Sequence, residues 1–171
     1  MASREHVHLG EYSKIWNNCN IYGTKEEPII IGENTQIGAN CEIKPGVHIG
    51  NNCRIQNGVF IPEGVTIDDY VFIGPHVVFT NDKYPTAVSA INGTWKRLES
   101  CVGEYTSIGA NAVIMPGVEI REYCQIGAGA IVTKNVDIYS IVAGNPAKKI
   151  GDLRKKPYKK IFEELLLHEA P

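Results

Sequence analysis

An asparagine, an aspartate and a histidine occur close together near the middle of the chain, in the run GPHVVFTNDKYP from residue 74 to residue 85. The side-chain oxygens of Asn81 and Asp82 can accept hydrogen bonds, and the Asp82 carboxylate can also attract a cation. His76 is the best-placed candidate general base, because an imidazole titrates near neutral pH. The alternatives are a turn shaped by Asn81 and Asp82, and a surface or subunit-interface position for His76. We predict that Asn81 and Asp82 contact a substrate and that His76 removes a proton.

A six-residue repeat must position these side chains. The aliphatic slot of the repeat holds Ile31, Ile37, Ile43, Ile49, Ile55, Ile61, Ile67, Ile73 and Phe79. The small-residue slot, four positions after each isoleucine, holds Thr35, Cys41, Val47, Cys53, Val59, Val65, Val71 and Val77. A period of six fits neither a helix nor a simple strand alternation, so each hexad is predicted to be a short strand with a corner. Strands stacked in this way lie parallel, coil upon coil.

The repeat is interrupted once and then resumes. In the second block the aliphatic slot holds Val102, Ile108, Ile114, Ile120, Ile126, Val132 and Ile138, and the small-residue slot holds Thr106, Ala112, Val118, Cys124, Ala130, Val136 and Val142. The interruption adds 17 residues to the regular spacing and predicts a loop at about residues 80–101. Solenoids tolerate insertions at corners, but long loops on a rigid stack are often functional.

Glycines and cysteines have structural interpretations within the repeat. Glycines after the aliphatic slot, such as Gly32 and Gly50, are expected to supply backbone freedom where the chain bends. Most of the cysteines fall in the small-residue slot and are expected to be buried, reduced and inert. Cys101 lies outside that slot, at the end of the insertion, and a catalytic thiol there is a minor alternative.

Length and composition limit the function classes. A chain of 171 residues suits one domain, and a net charge of −2 gives no basic signature for nucleic acid. The first ten residues contain no apolar signal-peptide core, and no apolar stretch is long enough to span a membrane. A cytoplasmic protein without nucleic-acid or membrane partners is therefore expected.

The two ends depart from the regular repeat. Ile15 and Ile21 predict an opening coil whose phase is interrupted at residues 24–27. The spacing of Tyr158, Ile161, Phe162, Leu165 and Leu166 predicts an amphipathic helix that caps or docks on the stack. We therefore divide the chain into residues 1–151, a β-helix domain, and residues 152–171, a C-terminal helical segment.

Two further motifs carry a resemblance to a known family. With the hexads, the run IGAGAIVTK from Ile126 to Lys134 and the run AGNPAKKI from Ala143 to Ile150 resemble the left-handed β-helix acyltransferases that use acetyl-CoA. The resemblance covers roughly residues 15–150 and implies an all-β fold, a left-handed parallel β-helix with an extruded loop. It also implies a homotrimer with active sites in the clefts between neighbouring subunits.

Within that family, the run GPHVVFTNDKYP resembles nucleotide-linked amino-sugar N-acetyltransferases, particularly those that acetylate a 3-amino group. This implies a role in surface polysaccharide biosynthesis, including lipopolysaccharide, with Asn81 as a catalytic residue whose carbonyl oxygen orients the amine. Members of the group carry arginine just after the proline, where this chain has Thr86. Arginine would suit a carboxylate or phosphate, so the substrate is expected to differ from uronate-type sugars.

The same resemblance implies where acetyl-CoA binds. Backbone groups at the positions matching Ala110 and Ala128, one coil apart, meet the pantetheine arm in related acetyltransferases. Thr133, Lys134 and Lys148 match positions near the nucleotide end, where lysine can neutralise phosphate. Solvent exposure without ligand contact is the alternative for both lysines.

Three other function classes are compatible with a hexapeptide-repeat solenoid. A γ-type carbonic anhydrase shares this solenoid but needs closely spaced histidines to bind zinc. Because His48 and His76 lie far apart in the sequence, no metal is expected. A non-catalytic scaffold would need neither the insertion nor the AGNPAKKI run. An O-acetyltransferase acting on a sugar or on serine is the nearest rival, and it would depend more strongly on a histidine base.

Overall fold

The computed structural model describes residues 5–167 and winds them into a parallel β-solenoid. Most strands are two or three residues long and pair in parallel with the strand three places later in the chain. For example, Ile37 lies beside Ile55, 18 residues further on. Three hexads therefore complete one coil, and the predicted parallel stack is confirmed.

Within the described residues the elements follow in chain order. The strands of the first four coils are β1 (Val7–Leu9), β2 (Lys14–Ile15), β3 (Asn20–Ile21), β4 (Ile29–Ile31), β5 (Gln36–Ile37), β6 (Glu42–Ile43), β7 (His48–Ile49), β8 (Arg54–Ile55), β9 (Phe60–Ile61), β10 (Val65–Ile67), β11 (Phe72–Ile73) and β12 (Val78–Phe79). After the insertion, which contains α1 (Ala87–Asn92), come β13 (Ser100–Val102), β14 (Ser107–Ile108), β15 (Val113–Ile114), β16 (Glu119–Ile120), β17 (Gln125–Ile126), β18 (Ile131–Val132), β19 (Ser140–Ala143), β20 (Lys148–Asp152) and α2 (Lys159–Leu166).

The strands form three sheets, which we call faces 1, 2 and 3. Face 1 has the order β1-β4-β7-β10-β13-β16, and face 2 the order β2-β5-β8-β11-β14-β17-β19-β20. Face 3 contains β3, β6, β9, β12, β15 and β18. The chain passes from face 1 to face 2 at the first corner, from face 2 to face 3 at the second, and from face 3 back to face 1 at the third.

Side chains of the two predicted slots fill the core. Ile37, Ile43, Ile61 and Ile73 are fully buried, as are most other members of both slots. Each buried isoleucine contributes about 2–3 kcal/mol relative to an exposed one. The hydrophobic effect on the isoleucines of all three faces therefore explains why the spacing of six is kept.

Polar members of the small-residue slot also link successive coils. The Thr35 hydroxyl donates to the carbonyl of Gly50 (2.8 Å) and accepts from the N–H of Cys53 (2.9 Å). Thr106 and the thiols of Cys41, Cys53 and Cys124 likewise donate to carbonyls of the next coil. Burial raises the pKa of each of these three thiols to about 11, so the prediction of buried, inert cysteines is confirmed for them.

The glycine prediction is wrong in its mechanism. The left-handed residue at each corner stands three places after the aliphatic slot, as at Asn52 (φ 57°) and Gly58 (φ 70°). Gly32 and Gly50, one place after the slot, are not left-handed. A Cβ on Gly32 would lie 2.7 Å from the backbone carbon of Gly50, so close stacking of coils requires glycine there.

The predicted spacing fails in the last coil. Ile120 bridges to Val136 and Ile126 pairs with Val142, 16 residues later instead of 18. Val136 and Val142 therefore occupy the aliphatic slot, contrary to their prediction as small-slot residues, and Ser140 is the small residue between them. Ile138 is only half-buried and lies outside the core cluster. A coil shortened by two residues closes the stack early.

The insertion and the C-terminal helix agree with the remaining expectations, whereas the N-terminal end does not. Ile67 pairs with Val102, 35 residues later, which confirms an insertion of 17 residues. The stack begins earlier than Ile15, because Leu9 in β1 pairs with Ile31. Helix α2 docks on the first corner, where Phe162 contacts the rings of Tyr123 and Tyr139 edge-on at 5.7 and 5.3 Å.

Candidate functional site

The insertion leaves the stack at the third corner and returns to it through a closed neck. The N–H of Leu98 donates to the backbone carbonyl of Asn81 at 2.8 Å, which joins the loop's exit to its entrance. Thr86 begins α1, since its hydroxyl accepts from the N–H of Ser89 at 3.0 Å in a capping box. The side chain of Thr86 is therefore occupied as a helix cap.

Asn81 has its amide group fixed by one neighbour. Its Nδ2 donates to the backbone carbonyl of Glu63 (3.1 Å) and to Oε2 of the same residue (3.2 Å). Because both of these atoms can only accept, the orientation of the amide is determined. Its Oδ1 receives no hydrogen bond from residues 5–167 and remains able to accept one. Glu63 was not identified from the sequence, although it stands one 18-residue coil before Asn81.

Asp82 has a local structural role. Its Oδ1 accepts from the N–H of Tyr84 at 3.0 Å, which forms a turn at the loop entrance. The second carboxylate oxygen accepts no hydrogen bond from the part of the chain that the structure describes. The turn therefore leaves one oxygen of Asp82 able to contact a substrate.

His76 lies at the second corner, in the left-handed conformation (φ 58°). Its side chain is exposed, and its ring stacks over the corner of the preceding coil, where a Cβ on Gly58 would clash with Nδ1. Strand β12 separates His76 from Asn81, which follows the other end of that strand. One chain therefore does not bring these two predicted catalytic residues together.

Several backbone N–H groups at the same position of the second corner have no acceptor within residues 5–167, including those of Asn17, Asn57, Ala110 and Ala128. Among these four, Ala110 and Ala128 stand one above the other on successive coils, and we call this pair the N–H ridge. In an earlier coil the equivalent N–H, that of Ala39, donates to Oδ1 of Asn57 at 3.0 Å. The residue that follows Ala110 by one coil is Ala128, and the one that follows Ala128 is Gly144, and neither has a side-chain acceptor. The predicted cofactor positions thus carry two donors that the fold does not use.

The predicted lysines fall on different corners. Lys148 in β20 pairs with Ala143, so it lies above the N–H ridge at the end of the second corner. Thr133 and Lys134 follow β18 and lie at the third corner instead. All three residues are exposed.

A small cavity opens at the C-terminal end of the stack. It has a volume of about 190 Å³ and is bordered by Lys134, Lys149, Val132 and Val142. Ser140 also lines it, and the Ser140 hydroxyl is buried without a hydrogen-bond partner. The equivalent hydroxyls of earlier coils donate to the next coil, and the shortened last coil has no such successor.

A larger cavity lies on face 1 beside the returning loop. Its volume is about 370 Å³, and its lining includes His48, Thr66 and Cys101, which stand on adjacent strands of the sheet. Arg97 spans one side through an ion pair with Glu27 (2.7 Å), a contact that raises the pKa of the guanidinium. This cavity was not anticipated from the sequence, because the outward position of each strand shows no regular pattern of residue types.

The exposed thiol of Cys101 lacks the environment of a catalytic nucleophile. Partial burial, and secondarily the charge of Glu119, raise the pKa of this thiol above its usual value. Reactive cysteines instead need positive surroundings that stabilise the thiolate.

Residues 5–167 offer neither a metal site nor a membrane-spanning helix. Within that range no cluster of three or more histidine, cysteine or acidic side chains is placed to hold a metal ion. None of the helices in the same range is long and apolar enough to cross a membrane.

Two family models match the repeats. "Hexapeptide repeat of succinyl-transferase" matches residues 28–62, and "Bacterial transferase hexapeptide (six repeats)" matches residues 102–134. These matches confirm the resemblance to hexapeptide-repeat transferases, and they fall on the two blocks that flank the insertion.

A curated relative shares part of the stack. A chloramphenicol acetyltransferase from Klebsiella aerogenes is 37% identical over 72 residues, which is 42% of this chain. The matched segment spans 34% of the relative's own length, about a third. A second chloramphenicol acetyltransferase, from Agrobacterium fabrum, matches over the same length at the same identity.

Solved structures share the fold over most of the chain. A variant of AntD, an N-acyltransferase from Bacillus cereus, in complex with dTDP and coenzyme A, has a TM-score of 0.75 at 23% identity over 94% of this chain and 91% of its own. The acetyltransferase domain of PglB from Neisseria gonorrhoeae has a TM-score of 0.65 at 19% identity, over 81% of this chain and 57% of its own.

A third solved structure is a variant of GDP-perosamine N-acetyltransferase from Caulobacter crescentus in complex with CoA and GDP-perosamine. It has a TM-score of 0.60 at 20% identity, over 85% of this chain and 58% of its own. At these identities the likeness establishes the shared fold.

Proposed function

We propose that this hexapeptide-repeat chain is an acetyl-CoA-dependent N-acetyltransferase that acts on the amino group of a nucleotide-linked sugar. The observation that carries the proposal is the N–H ridge of Ala110 and Ala128, two donors that the fold leaves without acceptors. The solved structures support it, since their titles describe N-acyl- and N-acetyltransferases with coenzyme A and nucleotide or nucleotide-sugar ligands.

The ridge suits the arm of coenzyme A. Pantetheine contains two amide carbonyls, and two N–H groups on successive coils, about 5 Å apart, offer donors along the direction of an extended arm. Lys148, above the ridge, would attract the phosphates at the nucleotide end. Thr133 and Lys134 lie at another corner and would reach the same nucleotide only from a neighbouring subunit.

The acceptor amine would meet the loop neck. The unoccupied Oδ1 of Asn81 accepts a hydrogen bond from the amine and orients its lone pair towards the thioester carbonyl. The remaining oxygen of Asp82 can attract the ammonium form or accept from a sugar hydroxyl. Both contacts bind and orient the substrate without forming a covalent intermediate.

A homotrimer would complete the site. His76 and Asn81 lie at opposite ends of β12, so a cleft between two subunits can combine the second corner of one with the third corner of the other. In that arrangement the ridge and His76 face the neighbour's loop neck. Sedimentation equilibrium of the purified chain would test the trimer.

The chemical step needs few protein groups. The amine nitrogen forms a bond to the thioester carbonyl carbon, the carbon–sulfur bond breaks, and one amine proton is removed while the thiolate of coenzyme A leaves. His76 is our candidate to take that proton, and the thiolate is protonated on release. Because a thioester is already activated, positioning supplies much of the acceleration.

The finer assignment is part of the same proposal. On the strength of the GPHVVFTNDKYP run, we place the amine at C3 of the sugar and the reaction in surface polysaccharide biosynthesis. A cytoplasmic location belongs to the same proposal. The ligand of another AntD variant is dTDP-4-amino-4,6-dideoxyglucose, so a 4-amino sugar is the principal alternative acceptor.

Thiol release from acetyl-CoA tests the activity. The purified chain is incubated with 3-amino and 4-amino nucleotide sugars, hydroxyl sugars and serine, and free coenzyme A is measured. Turnover only with an amino sugar is expected. Turnover only with hydroxyl acceptors would replace this proposal by an O-acetyltransferase, and absence of acetyl-CoA binding would favour a scaffold.

Two variants separate the mechanisms. An amine acceptor and catalysis by positioning predict that Asn81→Ala loses most activity while His76→Ala retains most of it. The opposite pattern, with activity abolished in His76→Ala, would indicate that a histidine base is essential, as expected for a hydroxyl acceptor.

A further inference from the structure

Glu63 occupies a special position beneath the loop neck. It lies at the third corner one coil before Asn81, and it is half-buried. Both its backbone carbonyl and its carboxylate accept from the Asn81 amide. The backbone of Asn81 is held independently by Leu98, so the side-chain contacts with Glu63 are not needed to close the loop.

We propose that Glu63 is a positioning residue for the acetyl transfer, an inference that rests on the proposed role of Asn81. The two ends of a side-chain amide have the same shape but opposite hydrogen-bonding character. The attacking amine must meet Oδ1, because a hydrogen bond donated by Nδ2 would engage the amine lone pair that has to attack the thioester carbonyl. Glu63 selects the productive orientation by binding Nδ2 on the side of the neck.

The chemistry of the carboxylate explains why glutamate suits this position. An ionised carboxylate can only accept, and a hydrogen bond to it is stronger than one between neutral groups. Glutamine could accept from Asn81 through its oxygen, although it could also rotate and donate. Alanine would leave only the backbone carbonyl at 3.1 Å to hold the amide.

The first test compares Glu63→Ala and Glu63→Gln in the full chain. The nucleotide amino sugar with the highest turnover in the acceptor panel is used, and kcat, both KM values and Tm are measured. Glu63→Ala is expected to lower kcat roughly tenfold, with the KM for acetyl-CoA and Tm unchanged. Glu63→Gln is expected to stay within about threefold of the unmodified protein, because its oxygen can still accept.

Glu99→Gln is the matched control. Glu99 is an exposed carboxylate whose chain packs against the same corner, near Gly64, without bonding to Asn81. Its kinetics should match those of the unmodified protein. A Glu63→Ala variant with unchanged kcat would overturn the proposal, and so would a loss of kcat that merely follows a lowered Tm.

Reversal of the hydrogen bond gives a second test. Asn81→Asp removes the donor and places two carboxylates together, so activity should fall. Adding Glu63→Gln lets residue 63 donate to the new carboxylate at position 81. The double variant should be at least about twofold more active than expected if the two single substitutions acted independently. Additive effects would contradict direct coupling between the two side chains.

The results also distinguish this inference from the proposed function. If the unmodified chain acetylates no nucleotide amino sugar, the proposed function fails and Glu63 has no such role. If the chain is active and Glu63→Ala is equally active, only the role of Glu63 is rejected.

Discussion

Replacing Ala110 or Ala128 by proline should weaken acetyl-CoA binding about tenfold for each substitution while the fold is preserved. Proline deletes one backbone N–H and changes little else if the backbone already suits it. The chain itself contains the precedent: Pro75 stands at the same corner position in the preceding coil, after Gly74 and beneath Ala110. The runs IGP, IGA and IGA thus occupy equivalent places.

The magnitude follows from the unused donors. A hydrogen bond between neutral groups contributes about 1–1.5 kcal/mol, which corresponds to roughly a tenfold change in Kd. If the two N–H groups bind separate carbonyls, the double variant should bind about a hundredfold more weakly. No folded-state hydrogen bond is lost, because neither N–H has an acceptor within residues 5–167.

Ala39→Pro provides the matched control. Ala39 also follows an isoleucine and a glycine at the second corner, but its N–H donates to Oδ1 of Asn57. This variant should lose about 1 kcal/mol of unfolding free energy and bind acetyl-CoA normally. Calorimetric titration with coenzyme A and denaturant unfolding would measure both effects. Unchanged affinity in Ala110→Pro and Ala128→Pro would refute the role of the ridge.

Three further predictions concern stability. Thr35→Val should destabilise the chain by about 2 kcal/mol in denaturant unfolding, since it leaves a buried N–H and a carbonyl unpaired; a neutral result would contradict the coil-linking role. Ser140→Ala, in the same slot of the last coil, should leave the free energy of unfolding unchanged or raise it by up to about 1 kcal/mol, because the hydroxyl has no partner. A marked loss of stability in this variant would show that the hydroxyl does have a partner. The contact with Arg154 holds the pKa of Asp152 well below its usual 3.8. The stability that this ion pair adds is therefore fully present above pH 3.8 and is lost as the pH falls below 3.8. Asp152→Asn should therefore remove part of the acid-induced change in Tm, whereas an unchanged pH profile would contradict this assignment.

The regular part of the fold could be predicted because one physical requirement is repeated in every hexad. The isoleucine of every hexad must enter the core, so the positions of Ile37 and Ile55 and the 17-residue insertion follow from spacing alone. The docking helix α2 could also be predicted from the sequence, because its apolar residues have helical spacing.

The last coil could not be predicted from the same spacing. Val136, Ile138 and Val142 are all apolar, so the pattern allows them to occupy either slot. The structure resolves the choice through a coil that is two residues shorter. The glycines were misinterpreted for a related reason: sequence alone does not distinguish a left-handed corner from a close contact between coils.

The candidate site could be predicted from the sequence only in part. Asn81, Asp82 and His76 could be selected because they stand at the insertion or in its motif. Their separation by β12 and the contact with Glu63 depend on how coils stack, and the outward positions show no periodic signal. Glu63 becomes visible only when residues 18 positions apart are compared.

Product analysis with ¹³C-acetyl-CoA tests the central claim most directly. The chain is incubated with a nucleotide amino sugar from the panel, and the product is analysed by mass spectrometry and heteronuclear NMR. Our account predicts that one labelled acetyl group is attached through an amide to the sugar nitrogen. Label on a hydroxyl oxygen, or an unmodified sugar for every amino acceptor, would contradict it.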